Sequence, residues 1–286
     1  MKVRAERAGL PVLQPLRLRE PGWADRLRAL GADVAVVIAF GQILPVDVLA
    51  APARGSINVH ASLLPRYRGA APIAWAIMRG ETTTGITTMQ MDAGMDTGDM
   101  LLARATPIGS EETAGELSDR LAALGADVLI ETLATLDTLV PTPQRHEQAT
   151  LAPRLIKAHG ALDWSQPATA LANVIRGCNP WPGAHTATPR GMLTIWRARA
   201  VTARACAPDA PTAGTVASGD TLASPATPAA PGTLVATGQA GGVPAIATGD
   251  GALLPLEVQA ENRRAVSWEE YLRGARLAAG TRLGTS

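Results

Sequence analysis

Ser56-Ile57-Asn58-Val59-His60-Ala61-Ser62-Leu63-Leu64-Pro65-Arg66-Tyr67-Arg68-Gly69 opens as a short apolar strand and ends in a polar loop. Residues two apart on a strand share a face, so Asn58 and His60 project together. Packing alone explains such a polar pair poorly. The next strand-like run, Ile86-Thr87-Thr88-Met89-Gln90-Met91, leads into Asp92-Ala93-Gly94-Met95-Asp96-Thr97-Gly98-Asp99, a loop with three carboxylates. Ligands of α/β sheets gather at neighbouring strand ends, so the loop and the pair are expected to meet. One amide, one imidazole and one carboxylate would then surround a small acyl group. Nothing in the loop itself separates Asp92, Asp96 and Asp99.

Outward from this stretch, strands and helices alternate. Residues 33–40 form a β-branched run without polar alternation, as for a strand buried on both faces. Helices are expected at 2–8, 23–30, 45–50, 70–79 and 112–139, and further strands at 85–91 and 100–108. This order indicates an α/β fold with a mostly parallel sheet. Near residue 140 the pattern breaks at Pro141, Pro143 and Pro153. One helix at about 167–177 then precedes short strand-like runs: Leu193-Thr194-Ile195-Trp196, Gly214-Thr215-Val216, Leu234-Val235-Ala236-Thr237 and Pro244-Ala245-Ile246-Ala247-Thr248. These suggest a small β-barrel of OB type. The expected division is 1–139, a linker at 140–158 and a second domain at 159–286. Residues 203–231, rich in Ala, Pro and Thr, read as a flexible insert.

Composition narrows the function. Aromatics are only 3% of 286 residues, so Ala, Leu, Val and Ile must fill the core. The net charge of +1 taken alone argues against a strong nucleic-acid binder. Residues 151–286, however, hold 12 Lys and Arg against 8 Asp and Glu, or +4, leaving 14 against 17, or −3, for residues 1–150. A mildly basic second half is compatible with a polyanion partner. Cys178 and Cys206 are the only cysteines and have no metal-ligand spacing, so free thiols in a reducing cytoplasm are expected. No apolar stretch reaches the ~18 residues of a membrane span.

The run from Asn58 to Gly69 resembles the signature of the folate-dependent formyltransferases. Gly69-Ala70-Ala71-Pro72 and Gln90-Met91-Asp92-Ala93-Gly94-Met95-Asp96-Thr97-Gly98-Asp99-Met100 narrow the resemblance to the methionyl-tRNA formyltransferases. Leu162-Asp163-Trp164-Ser165, Asn179-Pro180-Trp181-Pro182-Gly183-Ala184 and Ala247-Thr248-Gly249-Asp250-Gly251 do so too. The resemblance implies a Rossmann-like doubly wound domain followed by the OB-like domain. It also implies that the chain lacks a β-α-β unit of roughly 30 residues before Met1. A misplaced start is preferred to a true truncation as the reason.

The implied reaction moves the formyl group of 10-formyltetrahydrofolate to the α-amine of methionine on initiator methionyl-tRNA. A tetrahedral intermediate needs donors for its oxygen, a route for the amine proton and a proton for the departing nitrogen. By resemblance, Asn58 and His60 stabilise the oxygen and His60 shuttles a proton. The family pattern also selects Asp96, which would orient His60 and help deprotonate the amine. The folate would lie against Phe40, Gly41, Gln42, Ile43 and Leu44, against Ser62, Leu63, Leu64 and Pro65, and against Asp92, Ala93 and Gly94. Gly41 permits close backbone approach, and Ile43 and Leu44 offer apolar walls.

Arg66 and Arg68 could meet the folate tail or the tRNA 3′ end, or form a solvated surface pair. Lys157, Arg176, Arg190, Arg197, Arg199, Arg263 and Arg264 could line a tRNA track. Trp164 and Trp181 are expected to pack between elements, and the Asn179-to-Pro182 run to form a rigid turn. His146, His159 and His185 fit no metal spacing, so no metal is expected. A cytoplasmic monomer without a membrane partner is expected. An amino-sugar nucleotide formyltransferase, an inactive tRNA-binding remnant and a 10-formyltetrahydrofolate hydrolase remain as alternatives.

Overall fold

The computed structural model describes residues 2–201, 229–236 and 242–284. The expected insert at 203–231 lies outside them except for its last three residues, and the expected strand at Gly214-Thr215-Val216 lies outside them entirely. The chain divides into two compact units. One takes the chain up to Arg68, Ile86–Arg104 and Gly125–Thr150. The other takes Gly69–Gly85, Ala105–Leu124 and the chain from Leu151 onward.

Strands β1 (Ala35–Val37), β2 (Ser56–His60), β3 (Thr83–Gln90) and β4 (Met100–Pro107) form a sheet in that order. The pair β1–β2 is parallel, but β2–β3 is antiparallel, with His60 opposite Thr87 and Ile57 opposite Gln90. The expectation of a mostly parallel sheet is therefore corrected. The chain leaves β2 at His60 and re-enters the sheet at Thr83, beyond His60 in the register. A connection that returns at the same end of a strand makes the next strand antiparallel.

The strand expected at 33–40 shrinks to Ala35–Val37. It is not buried on both faces: Val36, Ile38 and Phe40 are all exposed. Among the described residues β1 is an edge strand, paired only with β2, so its apolar run is only partly covered.

The helices are α1 (Lys2–Arg7), α2 (Trp23–Arg28), α3 (Val46–Leu49), α4 (Pro72–Met78), with proline in its first turn, and α5 (Ala114–Thr135). A reciprocal cap starts α5. The Thr113 N–H donates to the Glu116 carboxylate (2.9 Å), and the Glu116 N–H donates to the Thr113 hydroxyl (3.3 Å). Leu117, Leu121, Gly125, Val128 and Thr132 are buried at three- and four-residue spacing, which is one helix face. At Gly125 a Cβ would lie 3.3 Å from Val59 Cγ1 and 3.5 Å from Ile86 Cδ1, so glycine lets the helix lie close against β2 and β3. On the same face the Thr132 and Thr88 hydroxyls pair at 2.8 Å, which keeps these buried oxygens satisfied.

In the other unit, β5 (Ala184–Thr188), β6 (Gly191–Val201), β9 (Ala252–Ala260), β8 (Ala245–Ala247) and β7 (Leu234–Val235) follow one another across an antiparallel sheet. Strand β10 (Ala265–Ser267) adds to β9. Residues 280–284 then tie its two ends together. Leu283 N donates to Gly232 O beside β7, and Gly284 N donates to Ala187 O in β5. Such closure removes open edges and is the logic of a barrel.

Its core gathers Leu171 and Ile175 of α6 (Ala168–Gly177), Leu193 and Ile195 of β6, Leu253 and Val258 of β9, and Trp268 and Leu272 of α7 (Trp268–Ala275). Each fully buried aliphatic side chain contributes roughly 1.5–3 kcal/mol relative to exposure. Helix α7 is an element that sequence patterning missed. Trp164 is buried as expected, its Nε1 donating to Thr186 Oγ1 (3.0 Å). Trp181 is instead 53% exposed, which corrects the expectation that it packs. It sits at the tip of its turn, in solvent.

Candidate active site

Because β1 and β2 are parallel, with Val37 opposite Asn58, the segments after both strands leave the sheet at one end. Asn58 is half-buried there and His60 is buried. Strand β3 runs the other way, so its last residues lie beside the start of β2, where Met91 N donates to Ser56 O (2.8 Å). The expectation that neighbouring strand ends deliver the carboxylate is therefore corrected: β3 is antiparallel to β2, and loop 91–99 folds back to bring it.

The Asp99 carbonyl accepts from Gln90 N (2.8 Å) and closes the loop's mouth. At Gly98 a Cβ would sit 1.8 Å from Gln90 O, so this closure admits only glycine. The Asp92 carboxylate accepts from Gly94 N (2.9 Å) and Thr97 Oγ1 (2.7 Å), an internal brace. Asp96 takes a left-handed backbone (φ 55°), a conformation that Asp adopts more readily than most side chains.

This fold separates the three aspartates. Asp92 braces the loop and Asp99 is exposed. Asp96 reaches both members of the β2 pair: Asn58 Nδ2 donates to Asp96 Oδ1 (3.3 Å), and His60 Nδ1 lies 3.6 Å from Asp96 Oδ2. His60 Nε2 lies 2.9 Å from the Tyr67 carbonyl. A carbonyl can only accept, so Nε2 carries a proton and Nδ1 is the nitrogen turned to the carboxylate.

The loop after β2 is held by β3. Thr87 Oγ1 accepts from Leu64 N (3.2 Å) and donates to Ser62 O (2.7 Å), while Ser62 Oγ donates to Arg66 O (2.6 Å). Of the residues expected against folate, Ser62 and Leu64 have buried side chains, so their backbone is what they can offer a ligand. Leu63, Pro65 and Leu44 are half-buried, and Gly41, Ala93 and Gly94 are exposed. Gln42 accepts from Leu18 N (3.1 Å) and so fastens its own loop. Phe40 and Ile43 are exposed, Ile43 at 72%. Both follow β1, at the sheet end that carries Asn58 and His60.

Arg68 corrects the reading of a solvated arginine pair, for it is only 7% exposed. Its Nε and Nη2 both donate to Gln144 Oε1 (3.0 and 2.6 Å), and its Nη2 lies 3.2 Å from His146 Nδ1. Arg66 does remain exposed, over the Tyr67 ring. Gln144 escaped sequence reasoning. It lies in the segment expected as a linker, where Thr142 also pairs with Met100 through both backbone groups.

In the other unit, several candidates for a tRNA track are committed locally. Arg176 donates to Gly109 O and Glu112 O, and burial lowers its pKa. Arg197 pairs with Glu116, and Arg264 with Glu270 (3.2 Å). Lys157, Arg190, Arg199 and Arg263 are exposed. Burial pushes the Cys178 thiol up to about 11, so it is not a reactive thiolate. Among the described residues no three His, Cys, Asp or Glu side chains could hold a metal ion, and no helix is long and apolar enough to cross a membrane.

Comparison with known proteins bears on this geometry. The Formyl transferase family matches residues 2–133, and the Formyl transferase, C-terminal domain family matches residues 154–276. A methionyl-tRNA formyltransferase of Solibacter usitatus is 47% identical over 96% of this chain and 81% of its own length. One of Geobacter metallireducens is 43% identical over 99% of this chain and 84% of its own. Among solved structures, HypX from Aquifex aeolicus in complex with tetrahydrofolic acid superposes with a TM-score of 0.59 at 17% identity, covering 88% of this chain and 41% of that one. The sugar 3N-formyltransferase WlaRD gives 0.59 at 15% identity, covering 92% and 82%. These distant structures share the fold alone. The near relatives cover both halves of the sequence, and by them the chain belongs to the formyltransferases, in the methionyl-tRNA formyltransferase family.

Proposed function

We propose that this chain transfers the formyl group of 10-formyltetrahydrofolate to the α-amino group of methionine on initiator methionyl-tRNA, in the cytoplasm, with Asn58, His60 and Asp96 as its catalytic groups. The single observation that carries the reading is the Asp96 carboxylate set between the Asn58 amide and the His60 imidazole. The folate donor supplies the formyl carbon that the methionine amine attacks.

Asn58 has two amide hydrogens. One is held by Asp96, which fixes the amide plane and leaves the other for the formyl oxygen as negative charge gathers there. Removing one such donor typically costs 10²–10³ in rate, so about that effect is expected of Asn58. His60 has Nε2 committed to the Tyr67 carbonyl, so its Nδ1 edge does the work beside Asp96. A proton on Nδ1 adds a second donor for the oxygen and can pass to the departing folate nitrogen. Asp96 receives the amine proton and holds the imidazole in line.

The folate ring would lie against Phe40 and Ile43, with backbone groups of residues 62–65 and 92–94 reading its polar edge. We further assign residues 1–139 to catalysis and 159–286 to tRNA binding, with 140–158 joining them while its Thr142 and Gln144 are held against Met100 and the Asp96 loop; the two family matches, at 2–133 and 154–276, support two parts.

Acceptor choice tests the reading. With 10-formyltetrahydrofolate as donor, the chain is expected to formylate methionyl-tRNA and to leave a nucleotide-linked amino sugar unmodified. Formylation of the sugar alone would overturn the assignment.

A further inference from the structure

We propose that Gln144 is the positioning residue of this site, a buried amide that ties the Arg68 guanidinium to the loop carrying Asp96; this rests on Asp96 acting in formyl transfer. Gln144 is 5% exposed, and all its polar capacity is spent. On one side its Oε1 accepts from Arg68 Nε and Nη2. On the other its Nε2 donates to Asp96 O (2.9 Å) and Gly98 O (2.7 Å). The orientation of the amide is not a free choice. Two donors face its oxygen and two carbonyls face its nitrogen, so a flipped amide would oppose like groups on both sides.

The two carbonyls it holds bracket Thr97, directly after the catalytic carboxylate. Asp96 is in the left-handed region there, and its side chain must hold two distances at once. Loop 91–99 has further ties at its mouth and at Asp92. Gln144 is a side-chain clamp on the Asp96 backbone itself. Arg68 fixes that clamp in turn. Its guanidinium is buried against the Gln144 amide and the His146 ring. A charged donor gives a stronger hydrogen bond than a neutral one and sets which way the amide points.

Gln144→Glu separates the two halves of the device. A glutamate keeps the size and gives Arg68 an ionic partner, but it has no N–H for the carbonyls of Asp96 and Gly98. We expect kcat to fall roughly tenfold to a hundredfold, the scale of a small misplacement of a reacting group. KM for methionyl-tRNA should stay within a few-fold, and thermal stability should fall less than in Gln144→Ala, because the new ionic pair with Arg68 offsets part of the cost of the two unpaired carbonyls. Backbone amides of loop 91–99 should exchange with deuterium faster, without substrate present, while those of β2 stay protected. In an Asp96→Asn background the same change should cost little more, because Gln144 acts only through Asp96.

Gln144→Ala should lose both kcat and stability, since it also strips Arg68 of a partner. Parental turnover and unchanged loop exchange in Gln144→Glu would overturn the proposal. So would an equal loss of kcat in the Asp96→Asn background, or a loss confined to KM. Parental turnover by Asp96→Asn alone would instead overturn the catalytic role of Asp96.

Discussion

Three aspartates share one nine-residue loop, and backbone geometry divides their chemistry. Asp92 is spent on Gly94 and Thr97, Asp99 points to solvent, and Asp96 meets Asn58 and His60. The β2 pair was legible from sequence because strand periodicity alone puts Asn58 and His60 on one face. The choice among the aspartates was legible only through the family resemblance, because in physical terms it depends on a left-handed residue and on a closure that only Gly98 permits. Gln144 was invisible for a related reason: its partners lie 76 residues away at Arg68 and 48 away at Asp96, and no local pattern marks it. Ile43 gives a residue-scale prediction. An exposed apolar side chain that a bound ring covers should matter to the folate and not to the tRNA. Ile43→Asp is expected to raise KM for 10-formyltetrahydrofolate roughly tenfold, the worth of about 1.4 kcal/mol of lost apolar burial, with KM for methionyl-tRNA little changed. Steady-state kinetics with each substrate varied in turn checks it.

Helix α5 shows what local signals can specify. Thr113 and Glu116 form a reciprocal cap, and the buried face follows at helical spacing. Thr113→Ala should lower stability by about 1 kcal/mol, the usual worth of such a cap. The Thr113 backbone N–H, Arg197 and the Thr113 hydroxyl hold the Glu116 carboxyl down to about 2, from an ordinary 4.5. A lowered carboxyl stabilises the fold above its unfolded value and loses that contribution as pH falls toward the folded one. Glu116→Gln should therefore lower Tm at neutral pH, and the gap to the parent should close between about pH 4.5 and 2. Glu116 is half-exposed, so solvent screening keeps the gap small. Thermal melts across that range read it. The same capping logic was present at Ser267-Trp268-Glu269-Glu270, where the Ser267 hydroxyl accepts from Glu270 N at the start of α7. The helix is only eight residues long and directly follows a strand, so its cap signal stands among strand-like runs. The antiparallel turn of β3 carried no comparable mark, since alternating strands and helices read alike whether a connection crosses the sheet or returns at one end.

Across the whole molecule, the broad order was readable: strands with helices first, then short strands around a second core. The proline-marked break near residue 140 was readable too, but its role was not. A segment that looks like a spacer holds Thr142 against β4 and places Gln144 behind the site. Proline spacing reports that regular structure ends and says nothing about where the backbone is anchored. In the function proposed, the cluster of Asn58, His60 and Asp96 carries formyl transfer to methionyl-tRNA. Single-turnover transfer from 10-formyltetrahydrofolate by Asn58→Ala, with methionyl-tRNA binding measured beside it, tests this most directly. The rate is expected to fall by about 10²–10³ with tRNA affinity unchanged. A parental rate, or a loss that tracks weakened tRNA binding, would contradict it.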